Sequence, residues 1–343
     1  MNIGMTDIDR KVYEQELQEW LPARIFDAHV HLFAPSCLLP GDQFAPKNCY
    51  HRFGGTFDLT QCLAWTEALL PDQEFHLNSF GHPGRESDLG ASAAYTGSVS
   101  DNQRFFGMVL LSPKDSAESV IRRMETHRLI GYKPYLSFVD GKPTGEITID
   151  DMLPAPLMEV ADQRSLAVTL HIPRAERLAD PVNQAQMVEL CRRWPNAKII
   201  IAHIGRAYYM SNVIGFLDGL ADCPNAYLDT AMVNHEGVLE YAFRHFPSDR
   251  ILFGSDAPVA FLRGKSVEIN NQYAYLMGED YQIGAWIYDD RGAVAFTYFF
   301  YEQLRGIKRA AALAGWGRDQ IEGLMFSNAH NVFCGIAKRN YPS

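Results

Sequence analysis

Eight short runs rich in β-branched and aromatic residues recur along this chain, and between most of them lies a helix-length segment with one apolar face. The runs centre on residues 25–30, 74–80, 105–111, 130–135, 167–172, 198–204, 226–231 and 251–255. After the third run Ala117, Val120, Ile121 and Met124 repeat at helical spacing. Met187, Val188, Leu190 and Cys191 crowd one face after the fifth, and residues 238–246 play that part after the seventh. Strands that alternate with helices run parallel, joined by crossovers, and eight such units are the number that closes a (β/α)8 TIM barrel. An open doubly wound sheet would carry a Gly-rich phosphate turn after its first strand, where this chain has His29-Val30-His31-Leu32. The expected fold is therefore α/β, one barrel domain over residues 1–343, with an N-terminal extension (1–22), a barrel at about 23–334, long loops on the catalytic face and C-terminal helices at 293–313 and 318–333. Residues 32–58 form a Pro- and Gly-rich stretch with a short helix following near 59–70, suited to a lid, and residues 81–102 and 263–291 read as long excursions.

In such a barrel the chemistry gathers where the strands end. His29 and His31 close the first run, two residues apart and so on one face of a strand. His171 closes the fifth, His203 the sixth and Asp256 the eighth. A histidine pair alone is weak, and Asp256 alone reads equally well as a helix cap. Together at matching strand ends they suit a divalent metal such as Zn2+, which takes N and O ligands and keeps a position open for water. Lys133, at the end of the fourth run, reads first as an ammonium that binds a substrate anion or pairs with a carboxylate. Arg174, Arg206 and Arg263 all follow strand ends, and a guanidinium matches a carboxylate or phosphate with paired donors. For Arg174 and Arg263 a plain ion pair competes with that role, whereas Arg206 leans to substrate. His51, His82 and His235 read as ordinary loop histidines, and Tyr208, Tyr209, Tyr273, Tyr275 and Trp286 mostly as loop packing.

A formal charge of −10 argues against a surface built to hold nucleic acid or an anionic membrane, so the expected partner is a small molecule. The acidic first twenty residues lack the basic end and apolar centre of a signal peptide. Apolar runs are too short for a membrane span, and the six cysteines fall without metal-binding spacing, which fits a reducing cytoplasm. The aromatic run 296–301 suits burial against the barrel, with contact to a second copy in a homo-oligomer as the other expectation.

The segments Asp27-Ala-His29-Val-His31, Thr169-Leu-His171-Ile-Pro173, Ile201-Ala-His203-Ile-Gly205-Arg206, Phe253-Gly-Ser-Asp256-Ala-Pro258 and Asn328-Ala-His-Asn-Val-Phe333 resemble the amidohydrolase superfamily. Within it they are similar to the branch of metal-dependent hydrolases that also holds lactonases and decarboxylases, over residues 25–333. The resemblance implies that His29, His31, His171 and Asp256 bind metal, and that Asp256 also takes a proton from the activated water. It gives His203 either a second-metal role or that of the group polarising substrate or moving a proton. Some superfamily members carry a carboxylated lysine at the position of Lys133, so one ion is expected with room for a second at Lys133 and His203.

Two reactions follow on this scaffold. The leading one is hydrolysis of an amide, ester or lactone in a small anionic substrate, by water activated on a divalent ion. The other is non-oxidative decarboxylation of a carboxylated small molecule, which needs the same ligands. A catalytically silent barrel has no need of all five strand-end groups.

Overall fold

The computed structural model describes residues 3–41 and 44–342, so residues 1–2 of the expected extension and 42–43 of the long first loop lie outside the described residues. The eight expected runs all form strands: β1 (Arg24–His31), β2 (Glu74–Phe80), β3 (Phe105–Gly107), β4 (Val109–Leu111), β5 (Gly131–Pro134), β6 (Ala167–Leu170), β7 (Lys198–Ile201), β8 (Ala226–Asp229) and β9 (Ile251–Leu252). The third run is split at Met108, whose N–H donates to Ser79 O at 2.9 Å and so keeps β3 and β4 as one stave. β1 to β3 pair in parallel, as do β4 to β9. The ring closes through Ala28 N–H to Phe253 O (2.8 Å), Asp256 N–H to His29 O (2.9 Å) and His31 N–H to Ala257 O (2.8 Å). Because side chains inside the barrel and helices outside cover both faces, β1 is buried from Ile25 to its end.

Capping residues place the helices. Asp58 forms a capping box with Gln61 ahead of Leu59–Leu69, Ser116 caps Ala117–His127, and Asp180 caps Pro181–Arg193 with proline at the first position. The excursion 81–102 contains a helix, Leu89–Ser98, capped by Asp88. The excursion 263–291 holds a small sheet: β10 (Gly264–Ile269) pairs antiparallel with β11 (Gln272–Met277), and β12 (Trp286–Tyr288) lies parallel to β11. Asn270 and Asn271 both take positive φ (52° and 56°), the two-residue turn whose twist matches that of hairpin strands. The Asn270-Asn271 pair is the sequence signal for that hairpin. The chain ends in Phe299–Ala314 and in Arg318–Glu322, which continues through a π-turn into Asn328–Asn340, seven residues beyond the expected 333.

Tyr298, Phe299, Phe300 and Tyr301 are wholly buried within the chain's own core. All six cysteines are free thiols. Among the described residues no helix is long and apolar enough to cross a membrane.

Candidate metal centre

His29 and His31 stand at the end of β1, where a bulge between Asp27 and Val30 shifts the register against β2. Their rings lie 5.5 Å apart, both edge-on to the buried Phe80 that ends β2. His203 comes to 4.8 Å from His29, and His171 to 5.4 Å from His203, measured between ring centres. Asp256 reaches in from the turn after β9, with one oxygen 3.4 Å from His29 Nε2 and 3.3 Å from His31 Nε2. Gly254 permits that approach, since a Cβ there would meet the His29 Cβ at 2.9 Å. The turn after β7 is left-handed from His203 to Arg206 (φ 57°, 49°, 64° and 59°), and Asp256 has φ 69°. Each such non-glycine residue costs roughly 1–2 kcal/mol, a strain typical of sites whose side chains must be aimed.

Proton positions follow from the partners. His29 Nδ1 faces Asp229 Oδ2 at 2.9 Å, His31 Nδ1 faces Gly81 O at 2.8 Å, and His203 Nδ1 faces Ala231 O at 2.9 Å. Those oxygens only accept, so each Nδ1 carries the proton and, in the neutral ring, each Nε2 keeps its lone pair. His171 Nδ1 is buried with no partner among the described residues. Burial, together with Lys133, holds His29 well below the usual histidine range despite Asp256; burial and Arg206 do the same to His171, and burial lowers His203. Burial by itself would raise the Asp256 carboxyl, but the surrounding His31, His29 and His203 outweigh it and hold it at about 2. Electron-rich nitrogens that face a carboxylate across little more than 3 Å are a donor set for a cation. The residues fit a divalent metal, with His29, His31 and Asp256 one group able to hold it and His29, His203 and Asp229 another.

Lys133 is in the same cluster. It is wholly buried, 3.2 Å from His29 Nε2 and over the Phe80 ring at 4.5 Å, and burial lowers it to about 8 against the pull of Asp229 and Asp256. Of the three arginines read from the sequence, Arg206 belongs here: it donates to Ile172 O at 3.1 Å, and its charge acts on His171, Tyr135 and Tyr208. Arg174 makes the ion pair that competes with a substrate role, its Nε meeting both oxygens of Asp180 at 2.9 Å, the carboxylate that also caps the next helix. Arg263 also makes an ion pair. It grips the wholly buried Asp9 at 2.7 and 3.2 Å and also binds Gly4 O, Phe296 O and Tyr298 Oη, so it ties the N-terminal segment to the hairpin rather than facing the histidines.

Several neighbours went unread in the sequence. Asp229 ends β8, and the rule that picked the other strand ends would have picked it. Asp27 accepts the N–H groups of His29 (3.0 Å) and Ser255 (2.9 Å), and burial raises it to about 7. Tyr135 packs on His171 at 4.6 Å, and burial with the Asp256 charge raises it to about 12, as it does Cys49 of the first loop. Tyr50, beside Cys49, is raised well above the usual tyrosine value by burial, then by Cys49 and Asp256. The first loop is bound to the hairpin region by Lys47–Asp280 (2.8 Å) and Arg52–Glu279 (2.7 Å). Tyr208, expected to be loop packing, stands 6.4 Å from His203 and meets Tyr273 and Tyr275 of β11, with Arg177 over Tyr273 at 4.3 Å. Trp286 sits by Lys47. The remaining histidines are local: His51 bonds to Phe44 O and Ala45 O, His82 packs among Phe33, Phe44 and Tyr50, and His235 caps a helix and pairs with Glu268.

A family model described as amidohydrolase matches residues 26–272. No curated protein matches the sequence. Among solved structures the chain resembles an amidohydrolase from Burkholderia multivorans with bound HEPES, at 13% identity over 91% of this chain and 99% of that one, with a TM-score of 0.58. It also resembles 5-carboxyvanillate decarboxylase from Sphingomonas paucimobilis, at 15% identity over 91% and 99% with a TM-score of 0.54. A third is 4-oxalomesaconate hydratase from Rhodopseudomonas palustris, at 16% identity over 90% and 95% with a TM-score of 0.54. At these identities the likeness is one of fold.

Proposed function

The chain belongs to the amidohydrolase family, and from that premise we propose that it is a hydrolase dependent on one divalent ion, Zn2+ by its N and O donors, acting on an amide, ester or lactone of a small anionic substrate. The observation that carries this reading is the convergence of the His29 and His31 Nε2 atoms on a single Asp256 oxygen, beside a buried His171 with an unpartnered nitrogen. His29, His31, His171 and Asp256 would hold the ion. When bound, it supplies Lewis acidity, lowering the pKa of water to about 7 and polarising a carbonyl.

The chain's own groups supply the rest. Asp256, kept ionised, accepts the proton lost by the attacking water and returns it to the leaving group. The buried Lys133 faces the carbonyl oxygen and stabilises its developing charge, and His203, held by Ala231 O, offers its Nε2 lone pair to take up and pass on a proton. Arg206 binds the substrate's anionic group, and Tyr50, Tyr135, Tyr208 and Tyr275 exclude bulk water. The second reading, decarboxylation, draws support from the fold shared with 5-carboxyvanillate decarboxylase and uses the same residues with a proton delivered to carbon.

A panel of lactones, esters, amides and carboxylated aromatics, assayed with the Zn2+-loaded protein, decides between them. Acid release without CO2 is the expected result. CO2 release makes the protein a decarboxylase, and turnover that survives both His29→Ala and Asp256→Ala removes the centre from the mechanism.

A further inference from the structure

We propose that Asp229 is the positioning residue of this centre, one buried carboxylate that sets the proton on His29 and the backbone of His203 at the same time. The inference rests on the reading of the cluster as a divalent-cation site. Asp229 ends β8 and is wholly buried. Its Oδ2 meets His29 Nδ1 at 2.9 Å. Its Oδ1 accepts the His203 N–H at 2.7 Å and the Ala231 N–H at 3.1 Å, and the Ala231 carbonyl in turn accepts His203 Nδ1.

Both oxygens therefore have a task. Oδ2 can only accept, so it compels His29 to carry its proton on Nδ1 and to present an Nε2 lone pair on the side of Asp256 and Lys133. Oδ1 pins the first residue of the strained turn that delivers His203 and Arg206. The link runs from one strand end to two others, so the rings of His29 and His203 are registered against each other by a single side chain. Partners of this kind, which orient a ligand without touching the ion, change metal affinity about 10- to 100-fold when they are altered.

Asp229→Asn separates the two tasks. The amide oxygen still accepts from His203 and Ala231, but the NH2 group now faces His29 Nδ1 and donates, which forces the His29 proton onto Nε2. Zn2+ affinity, measured by competition with a chromophoric chelator at fixed pH, should fall about 10- to 100-fold with unchanged stoichiometry. Long-range 1H–15N NMR of the metal-free protein should show His29 protonated on Nδ1 in the wild type and on Nε2 in the variant. The wild-type spectrum needs no variant, so the inference stands open to refutation even if Asp229→Asn fails to fold. An Nε2-protonated His29 in the wild type overturns it, as does a variant that binds Zn2+ within twofold of wild type. A wild type that binds two equivalents, of which Asp229→Asn loses one, also overturns it, because Asp229 would then be a ligand. A wild type that binds no divalent ion sinks the cation-site reading instead, and the tautomer measurement then decides the role of Asp229 by itself.

Discussion

Replacing Arg263 by methionine separates a scaffold residue from a substrate residue. The guanidinium is the ionic partner of Asp9, whose side chain is wholly buried, while its own is 14% exposed. Methionine keeps most of the stem's packing and removes the charge, leaving Asp9 with the Thr6 N–H and hydroxyl as its remaining partners. Removing one member of a buried pair costs about 3–5 kcal/mol, because the other charge stays desolvated. For a chain of 343 residues the entropy of unfolding at the midpoint is about 0.7 kcal/mol/K, at roughly 2.1 cal/mol/K per residue. The apparent Tm in differential scanning calorimetry of the Zn2+-loaded protein should therefore drop by about 4–7 °C. Asp9→Asn placed on top should recover part of that loss, since the unpaired buried charge is gone. KM for whichever substrate the panel identifies should stay within a factor of two. A tenfold rise in KM at unchanged Tm would refute the assignment and return Arg263 to the substrate.

Arg206→Met should do the opposite, raising KM about 10- to 100-fold at nearly constant Tm, since charge-assisted hydrogen bonds are worth about 1.5–3 kcal/mol; steady-state kinetics on an anionic substrate and its neutral analogue would show the effect only for the anion. Stripping the ion with a chelator should abolish turnover and lower Tm by about 4 °C relative to protein at a hundredfold excess of Zn2+ over Kd, the excess corresponding to about 2.7 kcal/mol; a Tm indifferent to metal would count against a tight site. Glu302 offers a pH test away from the centre. Burial would raise it, but Lys265 at 2.8 Å and Arg305 at 2.8 Å outweigh that and hold it below the usual glutamate range. A depressed carboxyl contributes stability above its unfolded pKa of about 4.5 and loses it as pH falls toward the lower folded value. Thermal melts between pH 3 and 6 should show wild-type stability declining on the acid side and Glu302→Gln declining less; parallel curves would refute the coupling.

The barrel was legible because its signals are local. A run such as Ile199-Ile200-Ile201 is buried on both faces whatever follows it, and the alternation of such runs with amphipathic segments leaves few ways to pair them. The hairpin of β10 and β11 lies in a stretch that reads as a long excursion, and only the Asn270-Asn271 pair is a local signal for it. The split at Met108 depends on how three neighbouring strands meet, which no window of sequence displays.

The order of residues along the chain determined that His29, His31, His171, His203 and Asp256 would share one face, because each ends a strand and parallel strands in a barrel all end on the same side. Only the tertiary structure decided which charges near that face are free to act. Arg174, Arg206 and Arg263 look alike in sequence, each a few residues past a strand end. Two are spent on carboxylates, Asp180 six residues away along the chain and Asp9 at its far end, and Arg206 alone remains by the histidines. The same holds for Asp229, whose value comes from a 2.9 Å contact with a residue two hundred positions earlier. A guanidinium or carboxylate acts on whatever lies within a few ångströms, and that distance is set by the folded path of the whole chain.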